Sequence, residues 1–475
     1  MKCKWQKFSL FVSAAVLCLL LGACSGDTPW RFDPGAPDKP VALTATAESG
    51  QVSLSWPSAN NAAAYYVYFS TSPNVSTSIG NRVATVVGTS YIQTGLTNGT
   101  TCYFVITSVN SNSESAASNQ VSTVPALPGP YAQGDMTGSW NFNILVSGAG
   151  AGWLRGTLSV DGSGAVTFSS FLDSAGNSLP PVALFPVLLM NSNGQVRNVN
   201  AGVPSFQGVM AASRKMIVGN VSPGIGSYGM VVLQKQVPGV AFSPGDLQGF
   251  GNTGGGGRRF IYNQISSGSS QEWEYASGQL GKDQKTQYTA ISAPSNPVTP
   301  GDKASILNIT ADGIVTESRT AALPQPAVVI DRGVMSADKS VIIGTATDTS
   351  GANPKYVLRI YQLVNIVSSD PNTFSQADLA GTYDLRKLTG GVSILSASGT
   401  VMIDALGVAT YSAYADSNGT VTLPAGLTLA MDASGNLINA ADASFQGKLS
   451  YFKDMFVATG TDSPGTYSLS IALKR

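Results

Sequence analysis

Glu272-Trp273-Glu274-Tyr275 sets two carboxylates among two aromatic rings, the raw materials of a sugar-cleaving site. On a strand, residues 272 and 274 share one face about 7 Å apart, while 273 and 275 take the other. A carboxylate pair flanking a glycosidic bond tolerates that separation. So does an exposed, charged strand edge, which is the expectation here. Gly148-Ala149-Gly150-Ala151-Gly152, and Gly254 to Gly257 followed by Arg258 and Arg259, have the flexibility to cradle an anion. A phosphate loop must follow a strand and open a helix; neither run does, so both are expected at hairpin tips. Asp161, Asp312 and Asp432 stand in turn-like sequences without the acidic ladder of a calcium loop, and hairpin turns are expected there.

The chain has no histidine. That excludes a Ser-His-Asp triad, a Cys-His pair and every imidazole-ligated metal. No catalytic residue, metal site or cofactor is predicted, and the expectation is a protein that is not an enzyme. Only 11% of the 475 residues are charged, against about a quarter in ordinary globular proteins. Five glutamates in the whole chain leave it poor in helix formers, while Gly, Ser, Thr and Val favour strands joined by tight turns. Acidic and basic residues balance at 27 each; setting aside Lys2, Lys4 and Lys7 leaves 24 basic groups against 27 acidic. With no basic run to neutralise phosphates, nucleic-acid binding is disfavoured.

Those three lysines precede an apolar run from about Phe8 to Leu21, and no acidic residue occurs before Asp27. The pattern is that of a signal peptide, too short to span a bilayer. It ends in Leu21-Gly22-Ala23-Cys24, which resembles the lipobox of bacterial lipoproteins. The resemblance implies cleavage after residue 23, diacylglycerol on the Cys24 thiol, and two or three acyl chains in all, enough for stable anchoring. Ser25 in place of an aspartate after the cysteine implies transport to the outer membrane. Residues 24–36 then read as a lipid-anchored linker, with prolines at 29, 34, 37 and 40 making a semi-stiff spacer. Cys3 and Cys18 leave with the leader, so Cys102 stands alone and no disulfide framework is available.

From 37 to 125 apolar and polar residues alternate cleanly. Val52-Ser53-Leu54-Ser55-Trp56, Tyr65-Tyr66-Val67-Tyr68, Leu96-Thr97-Asn98-Gly99 and Cys102-Tyr103-Phe104-Val105 follow in the order and spacing of a fibronectin type III domain. The stretch resembles that family, which implies a β-sandwich serving as spacer or binding scaffold in an extracellular setting. Members usually carry tyrosine where Cys102 stands, so a somewhat looser corner is expected.

The remainder repeats itself in three stretches, 131–237, 243–366 and 374–475. Each opens on Asp, Met or Leu, any residue, then Gly: Asp135-Met136-Thr137-Gly138, Asp246-Leu247-Gln248-Gly249, Asp378-Leu379-Ala380-Gly381. Each closes on an alternating strand begun by Tyr228, Tyr356 or Tyr467. Between them, Ser205-Phe206-Gln207-Gly208 recurs as Ser444-Phe445-Gln446-Gly447, and as Asp331-Arg332-Gly333 in altered form. A turn around Lys215, Lys339 or Lys453 follows each. About eight strands per copy predict an all-β chain: the sandwich, then three tandem antiparallel meanders forming up-and-down barrels or sandwiches, with a six-bladed propeller as the alternative. Gly138-Ser139-Trp140 and Gly381-Thr382-Tyr383 look like the Gly-x-Trp start of lipocalin- and avidin-type barrels. Trp140, Trp153, Tyr383 and Tyr467 are expected in cores. The predicted function is that of a non-enzymatic, outer-membrane lipoprotein presenting β modules to an extracellular protein or polysaccharide. The alternatives are a polysaccharide-active enzyme with an accessory module, and a small-ligand carrier with cavities inside its β units.

Overall fold

The computed structural model describes residues 35–48, 51–93, 96, 99–125, 130–178, 184–199, 205–248, 258–269, 271–281, 283–294, 305–319, 330–349, 352–364, 374–419 and 426–475. The signal peptide, the lipobox with Cys24, and Gly254 to Gly257 lie outside them.

The chain is all-β. Its first part is a two-sheet sandwich of the fibronectin type III kind. Strands Thr44–Glu48, Gln51–Ser55 and Ser90–Gln93 form one sheet; Ala64–Ser70, Arg82–Val86, Cys102–Val109 and Val121–Thr123 form the other. Val52, Leu54 and Trp56 meet Tyr65, Val67, Phe104 and Ile106 in its core, as their alternation predicts. Cys102 is buried, which pushes its thiol pKa up. The thiol still reaches back into the preceding loop, donating to the Thr100 carbonyl at 3.5 Å. The corner therefore keeps a weak version of the tie that a tyrosine would make.

Three eight-stranded units follow. In the first, Gly138–Gly148, Gly152–Val160, Val166–Asp173, Leu188–Met190, Gln195–Asn198, Ser205–Met210, Met216–Gly224 and Ser227–Lys235 run up and down. The first strand pairs with the eighth, and the free edges of strands three and four meet at one bridge, Ala165 to Val187. The second unit, Arg258–Gly268 to Lys355–Val364, has the same order and a bridge between Lys285 and Ile306. The third, Gly381–Gly391 to Thr466–Lys474, closes fully through Val408 to Thr428 and Ala409 to Leu427. Because each unit's strands hydrogen-bond into one continuous sheet, the six-bladed propeller is excluded.

The Asp-[Met/Leu]-x-Gly openings prove to be plugs. Asp135, Asp246 and Asp378 each accept the backbone N–H three residues back, from Ala132, Ser243 and Ser375, at 2.8–2.9 Å. Each also pairs with a cation from the turn between strands six and seven: Arg214 at 3.2 Å, Lys339 at 2.8 Å and Lys453 at 3.0 Å. Arg214, rather than Lys215, is thus the first copy's counterpart of the two lysines. Met136, Leu247 and Leu379 are driven into the barrel ends and fully buried. Ahead of each plug, an aromatic ring (Tyr131, Phe242 or Phe374) lies against a turn glycine at positive φ: Gly194, Gly313 and Gly435. A Cβ there would fall within 3.0 Å of the ring, and the left-handed backbone disfavours one in any case.

The terminal strands do not alternate, contrary to expectation. Met230-Val231-Val232-Leu233 and its equivalents are buried on both faces. One face fills the unit's own interior; the other enters a second core shared by all three units. Leu145, Val218 and Val232 meet Ile265, Ile343 and Ile360, and Leu388, Val457 and Ile471, in that shared core. A continuous apolar run marks two-sided burial, which periodicity alone could not assign to a neighbour.

Candidate functional site

The acidic and aromatic residues flagged in the sequence are not assembled into a reaction centre. Glu272 and Glu274 are not an exposed edge. Glu272 pairs with Lys355, and Glu274 accepts from the buried Tyr262 hydroxyl. The strand they were assigned to begins only at Trp273, and both carboxylates are already engaged. Asp161 and Asp432 close turns: Asp161 Oδ1 accepts from Ser163 N at 2.8 Å and Ala165 N at 3.0 Å, and Asp432 Oδ1 from Ser434 N and Asn436 N at 2.9 Å. In the third such turn Asp312 accepts from the Thr310 hydroxyl. Among the described residues no group of three His, Cys, Asp or Glu could hold a metal. Arg258, far from an anion cradle, is buried and donates to the carbonyls of Asp246 and Lys339. Trp140 and Tyr383 sit over the plugs, donating to Met136 O at 2.7 Å and Leu379 O at 2.9 Å. Trp153 is buried in the core that the units share, and the half-buried Tyr467 packs against Ile261, Trp273 and Tyr275 of the second unit.

The contacts between units follow one scheme, used cyclically. Strand pairing makes Asn143, Asn263 and Arg386 equivalent, each on a first strand opposite Arg155, Tyr275 or Ser398. Two residues along, Trp153, Trp273 and Ser396 are equivalent in the same way. At the first seam Trp153 Nε1 donates to Thr347 Oγ1 at 2.7 Å, Asn143 donates to Ile343 O at 3.4 Å, and Gln234 to Val334 O at 3.3 Å. At the second seam Trp273 Nε1 donates to Thr461 Oγ1 at 2.9 Å, Asn263 to Gln446 O at 2.9 Å, and Gln362 to Lys448 O at 3.2 Å. Arg155 adds to the first seam by stacking 4.1 Å above Trp153.

At the third seam, where the third unit returns to the first, this set is replaced by Ser396, Arg386 and Leu473. Asn220 Nδ2 donates to Lys387 O at 3.0 Å, but no tryptophan fills the space. A cleft of about 930 Å³ runs between strands four to six of the first unit and strands one to three of the third. It continues past Ser205, Gln207 and Ser398 into a further 240 Å³ toward Ser222, Tyr228 and Asp416. In the first seam a cleft of about 640 Å³ lies at the plugged end, beside segment Gln236–Val240.

The cleft's charges are unbalanced. Asp384 is clamped by Arg475, whose Nε and Nη2 donate to its two oxygens at 2.8 and 2.7 Å. Arg386 next to it is only 6% exposed. Its Nη1 donates to its neighbour's carbonyl, Leu385 O, at 2.8 Å, while its buried Nε has no partner among the described residues. Desolvation lowers the pKa of this guanidinium to about 10, with Asp384 opposing the fall, so it is charged at neutral pH. Arg197 adds a second, exposed cation on the opposite wall. Most other lining side chains are neutral hydrogen-bonders, among them Asn191, Gln195, Gln207, Thr400 and Ser412, with Tyr414 the aromatic member. Within the cleft the Thr400 hydroxyl donates to Asp384 Oδ1 at 3.4 Å and accepts from Arg475 Nη2 at 3.1 Å.

Two features inside the barrels escaped the sequence reading. Interior positions Phe142, Val231 and Leu233 of the first unit become Tyr262, Arg359 and Tyr361 in the second, and Leu385, Ser470 and Ala472 in the third. In the second unit they build a solid polar core. Arg359 there donates to Glu317 at 3.0 Å and Gln264 at 2.7 Å and lies 4.3 Å from the Tyr262 ring centre. In the third unit the smaller side chains leave a cavity of about 180 Å³, walled by Leu385, Val401, Leu429 and Phe456, with the Lys387–Asp462 ion pair at its polar end. Lining up the three copies residue by residue gives the signal for both the seam and the cavity, namely bulky residues in two copies against small ones in the third.

No protein-family model matches the chain, and no curated protein matches it. Among solved structures, a fibronectin type III-like protein from Clostridium thermocellum is similar over 19% of this chain and 90% of its own, with 28% identity and a TM-score of 0.16. The isotype 1 transferrin binding protein B of serogroup B Neisseria meningitidis is similar over 66% of this chain and 64% of its own, with 10% identity and a TM-score of 0.25. A mutant transferrin binding protein B from Haemophilus parasuis covers 79% of this chain and 83% of its own at 7% identity, with a TM-score of 0.21. Similarities of this size bear on neither activity nor partner.

Proposed function

We propose that this chain is a non-enzymatic lipoprotein of the bacterial cell envelope, anchored in the outer membrane through Cys24, which presents its β modules to bind a partner molecule. The cleft between the first and third units carries the reading. It is large, lined mainly by polar side chains and continuous over most of a seam whose two counterparts are each closed at the same level by a tryptophan. The absence of histidine from the chain and the separate engagement of Glu272 and Glu274 support binding over catalysis. The test is a glycan array probed with the full chain purified in detergent, beside the Ser396→Trp/Ser398→Tyr variant, which carries the residues of the second seam. Binding by the wild type and its loss in the variant are expected; equal binding by both would move the site elsewhere. For the anchor, wild type should partition into a detergent phase and Cys24→Ala into the aqueous phase, and equal partitioning would refute lipidation.

The cavity in the third unit favours a second reading, a carrier of a small apolar molecule. A cavity of about 150 Å³ takes a single benzene ring, and that of the third unit is slightly larger. Benzene should raise the melting temperature of the wild type but not of Leu385→Phe, which restores the first unit's ring.

A further inference from the structure

We infer that the cleft between the first and third units binds an acidic polysaccharide, with a carboxylate of a uronate residue seated on Arg386. The inference rests on the proposal that this cleft is the binding site and assigns its ligand chemistry. At each sealed seam, the residue equivalent to Arg386 is an asparagine that spends its donor on a carbonyl of the neighbouring unit. Among the described residues Arg386 has no such carbonyl partner in the neighbouring unit: apart from the Nη1 bond to Leu385 O, its Nε lies buried without an acceptor. A buried guanidinium lacking its acceptors calls for an anion, and a carboxylate can take two parallel N–H bonds from it. Asp384 does not meet that need, since Arg475 grips both of its oxygens. Arg197 on the facing wall leaves the cleft with surplus positive charge.

The rest of the lining selects sugar over peptide. An extended peptide gains affinity by pairing its backbone with a free strand edge, or by placing apolar side chains in pockets. Among the described residues, Gln195–Asn198, Ser205–Met210 and Ser396–Ile403 are paired on both sides, and Leu188–Met190 spends its outward N–H groups on Gly164 O and Gln133 Oε1, whereas Val408–Asp416 is paired beyond Ala409 on one side only. The edge left open is the stretch 410–416, and poly-L-glutamate tests whether a peptide takes it. Side-chain amides and hydroxyls such as those of Asn191, Gln207, Thr400 and Ser412 instead match the dense donor and acceptor pattern of sugar hydroxyls. Tyr414 supplies a ring against which a sugar face can lie.

The full chain in detergent is titrated with sodium polygalacturonate, its fully methyl-esterified form, dextran and poly-L-glutamate. Polygalacturonate should bind, and esterification should weaken binding more than tenfold. Arg386→Asn should cause a similar loss, Arg386→Lys a smaller one, and Ser396→Trp/Ser398→Tyr should abolish binding. All but Arg386→Lys copy residues already tolerated at the other seams, and unchanged circular dichroism and melting would confirm folding. If the esterified polymer or dextran binds equally well and the seam-filling variant stops it, the carboxylate assignment is overturned while the cleft stands. Binding of polygalacturonate that ignores the seam-filling variant overturns the cleft itself. Poly-L-glutamate binding as tightly as polygalacturonate overturns the choice of saccharide over acidic peptide.

Discussion

Lys448 carries a charge where the other two units carry valine. Strand register makes it equivalent to Val209 and Val334, yet it is 1% exposed. Its ammonium donates to Ser434 O and lies 4.8 Å from the Phe374 ring centre. Desolvation lowers its pKa to about 8; Asp432 pulls it back up and Arg259 pushes it further down. An unfolded lysine titrates near 10.4. Between these values the unfolded chain binds a proton that the folded chain has released, so this group makes stability rise with pH from about 8 toward 10. Below pH 8 both states are charged and the folded state bears the whole desolvation cost. Lys448→Met removes that cost. Its melting temperature should exceed the wild type's most at pH 7, with the gap closing as pH approaches 10; a gap independent of pH would refute the buried-charge account. Nothing in the local sequence announces this lysine, because Gln446-Gly447-Lys448 reads as an ordinary strand with polar residues facing solvent.

At the scale of elements, the opening motif was legible as a repeat, but its purpose was not. The spacing of Asp378, Leu379 and Gly381 shows that something recurs; only the fold shows Leu379 plugging a barrel while the aspartate clamps the chain to Lys453. Burial pushes the Asp378 pKa up, but the N–H of Ser375 and the Lys453 ammonium outweigh it and hold the carboxyl below its usual range. Its stabilising effect is therefore present at neutral pH and lost in acid, as pH falls through the lowered value. Asp378→Ala should cost roughly 2 kcal/mol at pH 7 in denaturant titration, the size expected for hydrogen bonds to a charged group. The same change should cost much less near pH 2, where the carboxylate is protonated; a loss independent of pH would assign the effect to packing of the plug. Hairpins and turns were legible because Asp and Gly act within a few residues. The two-sided burial of the Tyr228, Tyr356 and Tyr467 strands was not, because it depends on strands more than a hundred residues away. The cleft was hidden for the same reason: Ser396 becomes informative only when set against Trp153 and Trp273.

At the scale of the molecule, the shared core decides how the three units stand or fall. A separate barrel would expose Leu145, Val218 and Val232, or their counterparts Ile265, Ile343 and Ile360, or Leu388, Val457 and Ile471. At about 25 cal/mol per Å² of apolar surface returned to water, that exposure makes detachment of one unit costly beside the few kcal/mol that stabilise a domain. The sandwich module, by contrast, has a core of its own residues. Calorimetry of the full chain should therefore show a small transition for the module and a single larger one for the three units together. Leu469 is fully buried in the shared core but belongs to the third unit. Leu469→Ala should cost about 2–5 kcal/mol and shift the large transition as a whole, leaving the small one in place. If instead the third unit melts ahead of the other two, two transitions will replace the large one. The units would then be independent barrels in contact, and the cleft would be a gap between bodies free to part. A single transition would mean that the open seam is held apart by a rigid ring, so that a ligand meets Arg386 and Arg197 at a fixed separation.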